Sequence, residues 1–341
     1  MIAYILKRLA LMLPTLLGAL TLTFVVIQFV PGGPVEQLMA QSRMGKSGVY
    51  KSRGDTDAKQ IEELKKLYGF DKPAHVRYVE MLQNFASFKL GRSFMHNKDV
   101  WELIKEKLPV SISLGLWTFF ISYLISVPLG IAKAVREGSR FDVATTLLVL
   151  VGFAIPGFVL GVLLIVLFAG GSFWDVFPLR GLTSDHWADL SWPTRIRDYF
   201  WHLALPLTCM VLGAFAEMTL LTKNTFIEEM RKQYVLVARA KGLSQQRVLW
   251  KHILRNAMIP LVTGFPAAFI GAFFAGSLLI ESLFSLDGLG LLSYESVVRR
   301  DYPVVLGSLY LFTLIGLGVK LLSDLLYLVV DPRVKFESVG K

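Results

Sequence analysis

The chain has 341 residues, of which 54% are hydrophobic and 18% charged, with a formal net charge of +10 and a mean hydropathy of +0.53. A soluble protein of this length carries about a quarter charged residues, and here the apolar residues come in blocks that reach the roughly 20 needed to span a bilayer. A soluble enzyme is excluded. So is a nucleic-acid binder, because the basic residues cluster beside the apolar blocks as topology signals and no zinc-finger or RNP-like spacing occurs.

At the N-terminus Lys7 and Arg8 precede an apolar run over 9–30. That run exceeds a signal-peptide core of about 7–15 residues, so residues 1–30 are expected to form a retained transmembrane anchor. Residues 31–107 make a long insertion with helical patterns of its own. "DAKQIEELKKLYGF" places Ile61, Leu64 and Leu67 at helical spacing, with Gly69 as a stop. "DKPAHVRYVEMLQNFASF" restarts after Pro73 with Val76, Val79, Leu82 and Phe85, and "NKDVWELIKEKL" predicts a third short helix capped by Asn97 or Asp99. Residues 41–56, rich in Ser, Gly, Lys and Arg, read as a loop. The insertion is a small helical cap on the outer face, serving either as passive packing or as a docking surface.

Five further spans are expected over 108–132, 143–169, 203–222, 259–284 and 303–330. Pro128, Pro156, Pro206 and Pro266 fall within or near their ends. Each frees a backbone carbonyl that neighbouring helices or water must satisfy, which suits a bundle of bent helices around a cavity. Sixteen Lys and Arg flank one side of these spans against five in the opposite short loops, so both termini are expected in the cytoplasm. Trp101, Trp174, Trp187, Trp192 and Trp201 then lie on the outer side, as an aromatic belt would place them. The fold class is all-α and polytopic, with six transmembrane helices. The single cysteine, Cys209, sits inside an apolar block and forms no intrachain disulfide.

No phosphate-binding G-x-x-x-x-G-K-[ST] loop, G-x-S-x-G elbow or H-E-x-x-H motif occurs. The chain is therefore expected to be no enzyme, with no catalytic, metal or cofactor site of its own. Four ionisable residues fall inside spans: Glu217, Glu281, Lys320 and Asp324. A charge at the bilayer centre costs at least about 2.5–3.5 kcal/mol, so each needs a partner or water. Lys320 is expected to pair with Glu217 or Asp324 inside the bundle, or else to snorkel to the interface. Glu281 either lines a transport path or outer gate, or caps locally or pairs with Arg299 or Arg300.

Between the fourth and fifth spans, "YVLVARAKGLSQQRVLWKHILRNAMIP" is basic and helix-prone. A first helix is predicted from Asn224 or Thr225, with Phe226, Met230, Tyr234 and Val237 on its apolar face. Gly242 ends it in left-handed geometry. Ser244 caps a second helix whose apolar face holds Val248, Leu249, Ile253 and Leu254. Such an element either lies on anionic lipid or docks in a groove on a cytosolic partner.

The residues "ARAKG" at 238–242 and "LRNAMIP" at 254–260 resemble the cytoplasmic EAA loop of ABC-importer permeases of the dipeptide, oligopeptide and nickel group. One departure is visible: Leu236 stands where the family carries a glutamate. "PGGP" at 31–34, "YGFDKP" at 68–73, "FSLDGLG" at 284–290, "RRDYPVV" at 299–305 and "DPR" at 331–333 extend the likeness along nearly the whole chain. "PVSISLGLW", "GSRFDV" and "RKQYV" are most similar to the B-type permeases of the Yej subgroup, associated with oligopeptides and microcin C. The resemblance implies a type I, MetI-like permease core over 108–335, containing a coupling loop over 223–258. Coupling to an ATP-binding subunit would fall to Tyr234, Ala238, Arg239, Ala240, Lys241, Gly242, Leu243, Val248, His252, Arg255 and Asn256.

The same resemblance implies several partners: a second homologous permease, ATP-binding subunits carrying ATP and Mg, a periplasmic peptide-binding protein, and membrane lipid. Import would proceed by alternating access across the bacterial inner membrane, since ATP and the loaded binding protein must each prefer one conformation of the pair. Nickel or sugar import is the alternative within the group. An ion-coupled secondary transporter is the alternative outside it, although no inverted repeat is visible.

Overall fold

The computed structural model describes residues 2–30, 71–171, 173–274 and 278–330. The predicted helix around Ile61–Leu67, the loop over 41–56 and the "PGGP" and "DPR" motifs lie outside the described residues, as does the first half of "YGFDKP". Among the described residues the structure is helical, with one isolated β-bridge between Arg92 and Asp99. Four helices are long and apolar enough to cross a membrane. They are α1 (Ile2–Phe29), α3 (Val100–Val135), α6 (Trp192–Met230) and α13 (Tyr302–Val330); α2 (Ala74–Ala86) precedes α3.

The span expected over 143–169 is not one straight crossing. It consists of α4 (Arg140–Ala154) and α5 (Gly157–Phe168), bent by 89° at the break. Pro156 causes the bend. It has no N–H to give the helix, and it forces the preceding residue out of the helical region; Ile155 accordingly has ψ 116°. The 259–284 segment comprises α10 (Ile259–Phe274) and α11 (Leu278–Leu283), separated by residues that are not described, and α12 (Leu289–Val298) follows.

The chain divides into two compact units. One, the core unit, covers 108–291 and the residues from 318 onward; the other, the terminal unit, covers 2–107 and 292–317. In the core unit α3 and α6 approach closely. Ser126 donates its hydroxyl to the Phe215 carbonyl at 3.1 Å. Gly130 sits where an added Cβ would lie 2.6 Å from the Cβ of Thr222, so the backbones meet only because that side chain is absent. Farther along, α5 packs on α6 and α11 through Gly157 and Gly161, whose missing side chains would meet the Cys209 carbonyl and Leu283. Leu114, Leu203, Leu207, Ile280 and Phe284 close the apolar core there.

In the terminal unit α2 rests on α1. Thr21 and Tyr78 share a hydroxyl hydrogen bond of 2.5 Å, Arg77 donates to Gln28 at 2.7 Å, and the Phe24 and Tyr78 rings lie 5.2 Å apart. Asp301 is buried before α13. Its carboxylate accepts from the Ser93 hydroxyl at 2.5 Å and from the Phe94 and Met95 amides at 3.0 and 3.3 Å. The third short helix expected before residue 108 does not exist as a separate element. Asp99 caps at 2.8 Å through the Trp101 amide, but the helix then runs unbroken through Pro109 to Val135.

Candidate functional site

Helix α6 is 39 residues long, about 58 Å at 1.5 Å per residue, nearly twice the ~30 Å hydrocarbon core. It therefore carries its polar end, Lys223–Met230, well past the apolar stretch. The first elbow helix does not start at Asn224 or Thr225. Residues 223–230 belong to α6, and the chain breaks at Arg231 and Lys232, where Lys232 is extended at ψ 148°. Helix α7 (Gln233–Ala240) then begins with a reset phase. The reset overturns one expectation: Val235 and Ala238 face inward, while Val237 is 53% exposed.

Gly242 ends α7 at φ +79°. Its amide bonds the Arg239 carbonyl at 2.9 Å, and the Leu243 amide bonds the Ala238 carbonyl at 3.4 Å. These two bonds make a Schellman cap, which needs a left-handed residue at this position. Two residues on, Ser244 accepts from the Arg247 amide at 3.4 Å and starts α8 (Gln245–Val248). A π-turn over Leu249–Ile253 and a short α9 (Leu254–Ala257) complete the elbow.

The inner face of the elbow is fastened to the bundle. Phe226, Val235, Ala238, Val248, Ile253 and Ala257 pack with Ile131 and Ala134 of α3. Full burial of each larger apolar side chain is worth about 1.5–3 kcal/mol in water. Below them lies an ionic clasp. Lys133 is fully buried. Its ammonium donates to the Asp142 carbonyl and to the Thr145 and Thr146 hydroxyls at 2.6–2.9 Å, and it lies 3.1 Å from the Asp142 carboxylate. Lys223 of α6 reaches both oxygens of the same carboxylate at 2.8 Å. One aspartate thus ties α3, α4 and α6 together beside the elbow.

The outer face is different. Leu236, Val237 and Trp250 are 60%, 53% and 57% exposed, and the same segment carries the exposed Arg239, Lys241, Arg247 and Lys251. Ala240 and Gly242 are exposed beside them, and a Cβ on Gly242 would meet nothing within 4 Å. Of the residues assigned to coupling, Arg239, Ala240, Lys241, Gly242 and Arg255 lie on the surface, and Leu243, His252 and Asn256 are half-buried. Ala238 and Val248, assigned with them, are buried in the elbow's own core, where they set its shape. Tyr234 is half-buried, its hydroxyl held by Glu229 at 2.7 Å. Sequence reasoning missed Leu236 and Val237 as surface groups, because only the break at residues 231 and 232 puts them there.

The residues singled out within spans do not converge. Glu217 and Lys320 are both exposed, and no ion pair among the described residues joins Lys320 to Glu217 or Asp324. The expected cross-helix pair is not formed; Glu217 instead lines a cavity among apolar side chains. Glu281 is fully buried. Its carboxylate accepts from the Leu291 amide at 2.8 Å and lies where a Cβ on Gly288 would sit 2.6 Å away. It organises the loop over 284–291. Arg299 pairs with Glu295 at 3.8 Å.

Residues 126–336 match the family described as the binding-protein-dependent transport system inner membrane component. The chain belongs to this family. Among curated proteins, it is 55% identical to the peptidoglycan transport system permease protein YejB of Agrobacterium fabrum, over 98% of both chains. It is 49% identical to the inner membrane ABC transporter permease protein YejB of Escherichia coli O157:H7, over 98% of this chain and 99% of the relative. With the oligopeptide transport system permease protein AppB of Bacillus subtilis the identity is 33%, over 98% of this chain and 100% of the relative. The protein is therefore an integral inner-membrane permease subunit of an ABC importer, of the kind that works with ATP-binding subunits and a binding protein. The clasp and elbow lie inside the matched region.

Proposed function

We propose that this permease is one of two homologous subunits that together import peptides, or solutes built on a peptide, driven by ATP hydrolysed on partner subunits. The elbow and both chain termini lie in the cytoplasm, in keeping with the Lys and Arg imbalance of the short loops. ATP and Mg sit on the ATP-binding subunits, and an external binding protein supplies both the solute and most of the selectivity. The peptide assignment rests on the relatives: at 55% to 33% identity, the names they carry are those of peptidoglycan and oligopeptide systems.

The observation that carries the mechanism is the two-faced elbow. Its inner face is packed and capped, so it moves as one body with α3 and α6. Its outer face offers Leu236, Val237 and Trp250 along with exposed basic residues, and large exposed apolar groups of this kind mark a protein contact. A groove on the ATP-binding subunit that accepts this face closes with the nucleotide and carries the elbow along.

Co-expression with the neighbouring transporter genes, purification and uptake of labelled peptides into proteoliposomes test the proposal. Uptake should require internal ATP and the binding protein, and the ATP-binding subunits should co-purify. Peptide uptake without them, driven by an ion gradient, would overturn it.

A further inference from the structure

The core unit contains a cavity of about 320 Å³ bounded by α3 (Thr118, Phe119, Ser122), α6 (Glu217, Leu221) and α10 (Ala268). Its walls are largely apolar. Phe119 lies 4.8 Å from Phe265, 5.2 Å from Phe269 and 4.4 Å from Tyr123, ring centre to ring centre. Besides the Tyr123 hydroxyl, three polar groups interrupt this lining, Glu217, Thr118 and Ser122, and none of the three is satisfied as such groups usually are.

The first is Glu217, a carboxylate within the apolar stretch of α6. It is exposed and makes no ion pair among the described residues. A carboxylate facing hydrocarbon is strongly disfavoured, so this surface faces water or protein. The other two are Thr118 and Ser122, one turn apart on α3. They are 8% and 3% exposed, yet neither hydroxyl has a hydrogen-bond partner. A hydroxyl inside a helix ordinarily returns its proton to the carbonyl four residues back. Thr208 and Thr222 on α6 do so at 2.7 and 2.8 Å, whereas Thr118 and Ser122 do not. A carboxylate, two free hydroxyls and a cluster of aromatic rings form a set that suits an ammonium group bearing amides: ion pair, hydrogen bonds and cation–π attraction together.

We infer that this cavity is a station on the translocation path that receives the ammonium end of a peptide, with Glu217 as its counter-ion and Thr118 and Ser122 as hydrogen-bonding groups for the adjoining amide. The assignment of the ligand rests on the peptide reading above. The position of Glu217 off the lipid does not.

The test uses the assembled transporter carrying Ser122→Cys; the native Cys209 is buried and remains in place. A cationic methanethiosulfonate should modify the new thiol roughly tenfold faster than an anionic one, as a nearby unit negative charge in a wet site requires. Glu217→Gln should bring the two rates together, and Glu217→Asp should preserve the difference. Peptide uptake should fall severalfold in Glu217→Gln and recover in Glu217→Asp. If neither reagent reacts, lipid or a partner subunit covers the surface and the inference is wrong; equal reaction with both reagents while Glu217 is intact overturns it as well. If the unmodified transporter takes up no peptide while the charge preference persists, the peptide reading fails and the ligand assignment falls with it. If peptides are taken up and Glu217→Gln alters neither rates nor uptake, the inference alone fails.

Discussion

Asp142 holds two cations of unequal accessibility. Lys133 is fully buried, and Lys223 keeps 17% of its side chain exposed. Removing one partner of a buried pair leaves an uncompensated charge, a loss of about 3–5 kcal/mol. Asp142→Ala should therefore lower the unfolding midpoint of the detergent-solubilised protein sharply. Asp142→Ala combined with Lys133→Met should recover a good part of that loss, as a thermal melt of the two variants would reveal. Equal melting of the single and double variants would mean that the hydroxyls of Thr145 and Thr146 alone satisfy Lys133. Gly242 is a second position where one atom decides. At φ +79° an L side chain costs about 1–2 kcal/mol, and a long one would also project into the open space at this exposed cap. Gly242→Leu should leave membrane insertion intact but uncouple ATP hydrolysis from uptake. Gly242→Asn, which tolerates left-handed geometry, should retain most of the coupling in the same paired assay.

At the scale of elements, the elbow divides its labour between faces. Ser substitutions at Leu236, Val237 and Trp250 remove apolar surface without disturbing the packed side, so they should weaken co-purification of the ATP-binding subunit while the permease remains folded. Retention of that subunit by the triple variant would place the contact elsewhere. Much of the elbow was legible in the sequence. Gly242 and Ser244 announce their caps chemically, since one needs a left-handed backbone and the other offers an oxygen to a free amide. The orientation of α7 was not legible. Two residues, Arg231 and Lys232, interrupt α6 and rotate everything after them, and neither is a helix breaker by type. Pro156 lies at the opposite extreme. Its place in the sequence marks a perturbed helix, but a kink and an 89° corner have the same local signature. Packing of α5 on α6 at Gly157 and Gly161 selects the corner.

At the scale of the whole molecule, each unit has an anchor that sequence patterns do not reveal, because its members lie far apart in the chain. In the terminal unit, Asp301 collects three donors from Ser93, Phe94 and Met95 across more than 200 residues. Asp301→Asn should keep the shape but lose charge-assisted bonds worth about 1.5–3 kcal/mol each against about 1 for neutral ones. Faster proteolysis around Ser93 in that variant, with the core unit unaffected, is the expected readout. The apolar segments were visible in the sequence, because the bilayer demands length; of the six spans expected, four among the described residues are single helices long enough to cross and a fifth is the bent pair α4 and α5. Side-chain pairing was not visible. Lys320 and Glu217, natural partners by charge, form no ion pair among the described residues, whereas Asp142 gathers Lys133 and Lys223.

The clasp also bears on how the chain is made. Asp142 and Lys223 are 81 residues apart. At a synthesis rate of about 5–20 residues per second, roughly 4–16 s pass between their emergence from the ribosome. During that interval Asp142 has Lys133 alone as its cation, and α4 has no α6 to lean on. A nascent chain stopped before residue 223 should therefore be an early substrate for membrane quality control, and one extended past Met230 should escape it.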